Sequence, residues 1–213
     1  MTHFEKHFKR LQEVCPKLEM AVSNGPPGWV ITGDLDICDG NGMYWDTFAI
    51  GVFFASSYPY TVPVVYERST IIPRELGWHM SPEGECCVDV SHRLILAARK
   101  GLRLFEYMND KLYPYFANQL HRIHKGVYAG EEWGHHFDGI VQFYREQMQI
   151  EQPELAISLI KRVMNQNYPP PGKPCPCGSG KKLKYCHAPA IEMMKGLGHK
   201  ILSQDLIEFN KLL

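Results

Sequence analysis

The stretch Cys175-Pro176-Cys177-Gly178-Ser179-Gly180-Lys181-Lys182-Leu183-Lys184-Tyr185-Cys186-His187 constrains folding most, because it packs three thiols and an imidazole into thirteen residues. It has too few apolar side chains to bury a core of its own. Three Cys and one His complete a tetrahedral set for zinc, and bound metal would supply folding free energy directly. Gly178 and Gly180 let the backbone turn back so that the two halves meet. Four protein ligands leave no open coordination position, so the zinc expected here is structural. The alternative is reduced thiols without metal. Just upstream, Tyr168-Pro169-Pro170-Pro171-Gly172-Lys173-Pro174 is stiff and extended by composition. The expected organisation is a domain over 1–167, a linker over 168–174 and a small zinc module over 175–213, with a closing helix from Ser203 to Leu212.

The chain has 213 residues, 45% of them hydrophobic, enough for a core. Lys and Arg total 23 and so do Asp and Glu, so no global basic field argues for nucleic acid. No run approaches the ~20 apolar residues that span a membrane. The seven cysteines are an odd number, and the first residues lack the apolar segment of a leader. A disulfide framework is therefore not expected, and metal or catalysis is. The expected location is the cytoplasm.

Before residue 168 the pattern is α+β. Phe4, Phe8, Leu11, Val14 and Leu18 recur at helical spacing and predict a helix over 2–21, with Thr2 and Glu5 as a capping box. Two period-two runs follow, one through Trp29, Ile31, Leu35 and Ile37, the other through Phe48, Ile50, Val52 and Phe54. Asp39-Gly40-Asn41-Gly42 between them signals a hairpin. Val64–Arg68 predicts a third strand. His79–Val90 is turn-rich and carries the adjacent pair Cys86 and Cys87. It reads as a surface segment crossing a sheet edge, where a thiol is reachable. Two buried packing cysteines are the plain alternative. Later apolar periodicity predicts a long helix from Leu102 to Ile123, interrupted at Pro114, then helices through Phe137–Met148 and from Pro153.

The string from Cys175 to His187 closely resembles the SEC-C motif, named for the C-terminal tail of the bacterial preprotein-translocation ATPase. That resemblance implies Cys175, Cys177, Cys186 and His187 as ligands, and a small docking unit. Lys173, Lys181, Lys182 and Lys184 would then form a basic patch for an acidic partner, or simply a solvated loop. Upstream, Tyr58-Pro59-Tyr60-Thr61-Val62-Pro63 and Gly84-Glu85-Cys86-Cys87-Val88-Asp89 resemble the Tyr-Pro-Phe-x-x-Pro-Pro and Gly-x-Ile-Cys-Leu-Asp strings of ubiquitin-conjugating enzymes. The resemblance implies that fold, an antiparallel meander flanked by helices. It aligns Cys87 with the catalytic thiol and Cys86 with the apolar position beside it. Where that family keeps His-Pro-Asn, this chain has His79-Met80-Ser81, two residues closer to the thiol, and the usual Trp after the thiol is missing. Glu132–Ile140 with Phe143-Tyr144 is similar to divergent bacterial members found beside nucleotidyltransferases in cyclic-oligonucleotide anti-phage defence operons.

The resemblance implies a cysteine-dependent acyl transferase. Cys87 would attack the activated C-terminus of a protein partner, either the operon's nucleotidyltransferase or a ubiquitin-like protein. No Gly-rich phosphate loop follows a strand, so activation would come from a separate enzyme or the partner would arrive activated. The active site must orient the thiol and stabilise a tetrahedral oxyanion. Candidates are His79, Ser81, Glu85, Asp89, His135 and His136. Ser81 would donate in place of the missing Asn, and Asp89 would either orient an amine or cap the turn. Two other readings remain: a ubiquitin-conjugating-like fold that binds a partner without chemistry, and a thiol hydrolase or redox pair. Adjacent cysteines seldom serve as a redox couple, because their disulfide is strained.

Overall fold

The computed structural model describes residues 2–213. The protein is α+β. Its contacts divide it into two compact units, Met1–Asp89 with Ala97–His135, and Val90–Leu96 with His136–Leu213. Residues 168–174 lie inside the second unit. Among the described residues no helix is long and apolar enough to cross a membrane.

The first unit opens with α1 (His3–Gln12). Thr2 Oγ1 accepts the Glu5 N–H at 3.2 Å, and the Glu5 carboxylate accepts the Thr2 N–H at 2.6 Å, closing the capping box. Phe4, Phe8 and Leu11 are buried. The helix stops well before residue 21. Pro16 cannot donate to the helical ladder, and Leu18–Val22 is a strand, β1. The apolar spacing alone could not separate that short strand from two more helical turns. Next come β2 (Gly28–Cys38), β3 (Tyr44–Ala55) and β4 (Val64–Glu67), and the sheet is an antiparallel meander in the order β1-β2-β3-β4. The Asp39 carboxylate accepts the N–H groups of Asn41 and Met43, each at 2.8 Å, and fixes the hairpin turn.

Period two places Ile31, Leu35 and Ile37 on the same face as Phe48, Ile50, Val52 and Phe54, all of them buried. The pairs Ile31 with Val52 and Leu35 with Phe48 lie directly opposite. Two elements cover this face. Phe4 of α1 stacks on Trp29 at 4.8 Å and meets Phe54 and Tyr58 edge-on, each at 5.0 Å. Phe116 of α4 (Tyr113–Lys125) meets Phe48 at 4.8 Å. The long helix predicted over 102–123 is divided into α3 (Leu104–Tyr107), a π turn at Met108–Leu112 and α4. Pro114 lies in the first turn of α4, where a missing N–H costs least. The helix α2 (Ser91–Arg99), divided between the units, was not expected from the sequence.

The second unit holds α5 (His136–Met148), α6 (Pro153–Met164), α7 (Ala188–Leu197) and α8 (His199–Asn210). Its core includes Phe143, Tyr144, Leu159, Ile160, Met194 and Phe209. One charged group is buried there. The Asp205 carboxylate accepts the Tyr144 hydroxyl at 2.8 Å, and its Oδ2 lies 2.8 Å from His92 Nε2. A buried carboxylate needs such partners, because an unpaired one is strongly destabilising.

Phe4 clamps α1 to the sheet. Phe4→Ala is expected to lower unfolding free energy by about 3–5 kcal/mol, the usual cost of emptying a buried aromatic site. Urea titration followed by far-UV circular dichroism measures it, and a loss below about 1 kcal/mol would mean the ring does not anchor the helix.

Candidate functional site

The segment 79–87 folds as a small hairpin on the outer edge of β4. Cys86 N–H donates to Val65 O at 2.8 Å and Glu67 N–H to Gly84 O at 2.9 Å, which ties the segment to the strand. Across the hairpin, Cys87 N–H donates to His79 O at 2.8 Å and Ser81 N–H to Glu85 O at 2.9 Å. Gly84 makes the turn possible. Its φ is +90°, and a Cβ there would sit 2.9 Å from Glu67 O and 2.6 Å from an Arg74 guanidinium nitrogen. Arg74 in turn pairs with the buried Glu67 carboxylate at 2.7 Å.

Strand alternation separates the two thiols. Cys86 points inward and is buried, whereas Cys87 is exposed. Burial pushes the Cys86 thiol up to about 12. Partial desolvation, then the Glu85 carboxylate, also raise Cys87 above its ordinary value. Among the described residues no cation draws that thiol down.

Three side chains of α4 hold the start of the hairpin. Tyr115 Oη donates to His79 O at 3.0 Å, Gln119 Nε2 donates to Trp78 O at 3.0 Å, and the Arg122 guanidinium donates to Gly77 O. Their spacing of four and three residues is one helix face, so three successive carbonyls meet one stripe of donors. Arg122 also lies over the Trp78 ring at 4.1 Å and the Tyr128 ring at 4.5 Å.

The candidate residues fall into different places. His79 has φ +50° and its Nε2 lies 3.2 Å from a Glu132 carboxylate oxygen. Its ring is 4.5 Å from that of His135 and 5.7 Å from that of Tyr128. Burial, then His135, lower the His79 pKa, with Glu132 opposing. Ser81 Oγ accepts the Glu85 N–H at 3.0 Å. Asp89, nearly buried, pairs with Lys111 at 2.6 Å. His136 is exposed and is the first residue of α5, in the other compact unit. Glu132, Tyr115, Gln119 and Arg122 were not anticipated. The polar stripe on α4 was visible in the spacing, but nothing marked its partner as the backbone of 77–79.

The second cluster lies at the C-terminal end. Cys175 N–H donates to Lys181 O at 2.8 Å and Leu183 N–H to Lys173 O at 2.8 Å, which closes a tight loop, with Gly178 and Gly180 at φ +80° and +72°. One ligand atom from each of Cys175, Cys177, Cys186 and His187 lies within 4.8 Å of the others. Cys177 and Cys186 sulfurs are 3.5 Å apart, and His187 Nδ1 lies 3.4 Å from Cys175 Sγ and 3.2 Å from Cys186 Sγ. A zinc tetrahedron with ~2.3 Å Zn–S bonds has sulfur–sulfur edges of about 3.7 Å, so the cage fits that ion. His187 Nε2 lies 3.0 Å from Gln149 O. Donation from Nε2 to that carbonyl leaves the Nδ1 lone pair for the metal. At Cys177 desolvation opposes ionisation, but the Ser179 hydroxyl and N–H outweigh it and draw the thiol below its ordinary value, whereas burial pushes Cys175 up.

The family model of the SEC-C motif matches residues 173–189. Residues 173–189 carry a SEC-C motif. No curated protein and no solved structure gives a significant match to the chain. Lys173, Lys181, Lys182 and Lys184 of the SEC-C motif are all exposed. His187 and Cys175, by contrast, are buried, so the metal cage faces the helices of its own unit through Gln149.

Two outcomes are expected. Native mass spectrometry of the protein finds one zinc per chain, and Cys186→Ser or His187→Ala loses it together with cooperative melting of the SEC-C motif. A zinc content unchanged in both variants would place the metal elsewhere. Gln119→Leu, which leaves the Trp78 carbonyl without its donor, is expected to cost about 1–3 kcal/mol. It should also raise amide exchange at Cys87, whose N–H is bonded to the next carbonyl. Unchanged exchange would mean that α4 does not hold the hairpin.

Proposed function

We propose that the chain is a thioester-carrying, protein-conjugating enzyme on a ubiquitin-conjugating-like fold, with Cys87 as nucleophile. The observation that carries this reading is the separation of the two thiols. Cys86 is buried and held protonated, while Cys87 stands exposed on a hairpin anchored at both ends. The element order supports it: helix, antiparallel meander, Tyr-Pro break, thiol hairpin and further helices.

The reaction is acyl transfer. Cys87 Sγ attacks the carbonyl of an activated protein C-terminus, an acyl adenylate or a thioester, and loses its proton. The tetrahedral intermediate collapses, the adenylate or donor thiolate leaves, and the partner is held as a thioester. An acceptor amine then attacks that carbonyl and regenerates the thiol. Because Cys87 is raised above its ordinary value, little thiolate preexists at neutral pH, and a base must take the proton. His79, with its pKa lowered, is neutral and bonded through its backbone to Cys87, and His135 and Glu132 contact its ring. Ser81 Oγ accepts from Glu85 and keeps its own proton to donate to the oxyanion. Asp89, paired with Lys111, acts as a fixed part of the wall, and His136 has no assigned step.

The partner in this proposal is a protein, the nucleotidyltransferase of a cyclic-oligonucleotide anti-phage operon or a ubiquitin-like protein, activated by a separate enzyme. The zinc is structural, and the SEC-C lysines offer a docking patch for acidic protein surface. The raised thiol pKa also favours a second reading, a partner-binding module that does no chemistry.

Intact mass of the protein purified with its native partner tests both. The expected result is an adduct lost on thiol reduction or hydroxylamine treatment, absent in Cys87→Ala and retained in Cys86→Ala. An adduct unchanged in Cys87→Ala would overturn the assignment. Complex formation and biological activity retained in Cys87→Ser would establish the second reading. Alkylation of Cys87 by iodoacetamide is expected to keep rising with pH beyond 9.0, because its folded pKa lies above that ordinary value.

A further inference from the structure

A second histidine pair lies away from the thiol hairpin. His3 and His7 stand one turn apart on α1, and their ring centroids are 4.1 Å apart. Spacing i, i+4 puts both imidazoles on one face of the helix. His3 is exposed and His7 half-buried. His7 Nδ1 lies 2.6 Å from Tyr58 Oη, and in the tautomer whose Nδ1–H donates to that oxygen the Nε2 lone pair is free for a metal. Tyr58 is buried. The Tyr58 ring is itself wedged edge-on against Phe4 and Phe54, which fixes the hydroxyl.

An imidazole held by a hydrogen bond at one nitrogen, with a second imidazole a turn away, is the arrangement that late first-row metals take. The bond at the far nitrogen sets tautomer and ring orientation, and imidazole suits nickel, copper and zinc, not magnesium or calcium.

We propose that His3 and His7 form a two-imidazole site on α1 for a borderline divalent cation, with water completing the coordination. Tyr58 acts as its positioning residue. Metal across one turn ties the first two turns of α1 together. The site is chemically distinct from the thiolate cage of the SEC-C motif and does not depend on Cys87.

Calorimetric titration of the zinc-loaded, full-length protein with Ni2+ tests it, in a non-chelating reductant. One nickel site is expected. His3→Gln and His7→Gln should each weaken it at least tenfold, and Tyr58→Phe, which keeps both imidazoles, by about tenfold, as for other supporting hydrogen bonds. His135→Gln should leave nickel affinity unchanged. Nickel should raise the melting temperature of the wild type and not of His3→Gln, a variant at an exposed position that folds normally. Equal affinity in His7→Gln and wild type would overturn the pair. So would loss in His3→Gln alone, or loss in His135→Gln.

Discussion

Three donors on one face of α4 hold the carbonyls of Gly77, Trp78 and His79, and the geometry around Cys87 depends on that contact. A 3₁₀ turn ends there, and its last carbonyls have no partner within the turn. Water would satisfy them at a loop of no fixed shape. Tyr115, Gln119 and Arg122 satisfy them instead with side chains whose own positions are fixed by packing, since Gln119 is buried and Arg122 lies between two rings. His79 O is then held on two sides, by the Tyr115 hydroxyl and the Cys87 N–H. With the other end of the hairpin bonded to β4, strand alternation decides the rest. Cys86 turns in and Cys87 turns out.

The metal cage follows the same logic with fewer apolar contacts. Its loop buries only Cys175, Leu183 and His187, so bound metal would do there what a core does elsewhere. The link to the helices is the Gln149 carbonyl, presented by a residue at φ +58° just beyond α5. A non-glycine residue in that region carries strain, and such strain persists where surrounding structure fixes it. Here the benefit is specific, because a donor-bound Nε2 leaves His187 one nitrogen for the metal.

Strong periodicity made β2, β3, α5 and α6 legible in the sequence, and the ligand spacing made the metal cluster legible. Period two over a dozen residues has no competing explanation. The start of α6 was marked by Pro153. The cases that failed are short or mixed. β1 is five residues long and continues the apolar spacing of α1, so only the three-dimensional pairing with β2 defines it. α2 follows the thiol segment directly and alternates buried and half-exposed positions without a clean face. The π turn before α4 has no signal of its own. At the thiol, the turn residues made a reachable cysteine legible but did not say which of the adjacent pair it is. The ring contacts of His79 were not legible, because Glu132 lies 53 residues away and is one of two adjacent acidic residues in an irregular loop.

The histidines show why sequence alone could not assign them. An imidazole offers two nitrogens, and its chemistry depends on which one the fold has already occupied. His92 has Nε2 against Asp205 in a sealed core, so that ring is committed to holding a buried carboxylate. His187 has Nε2 against a carbonyl, which frees Nδ1 for metal. His7 is the mirror case, with Nδ1 against a neutral phenol and Nε2 left over. His79 has Nε2 against an exposed carboxylate beside a second imidazole. Residue type is the same in each. The partner at the other nitrogen, set by elements far apart in the chain, decides what each ring is free to do.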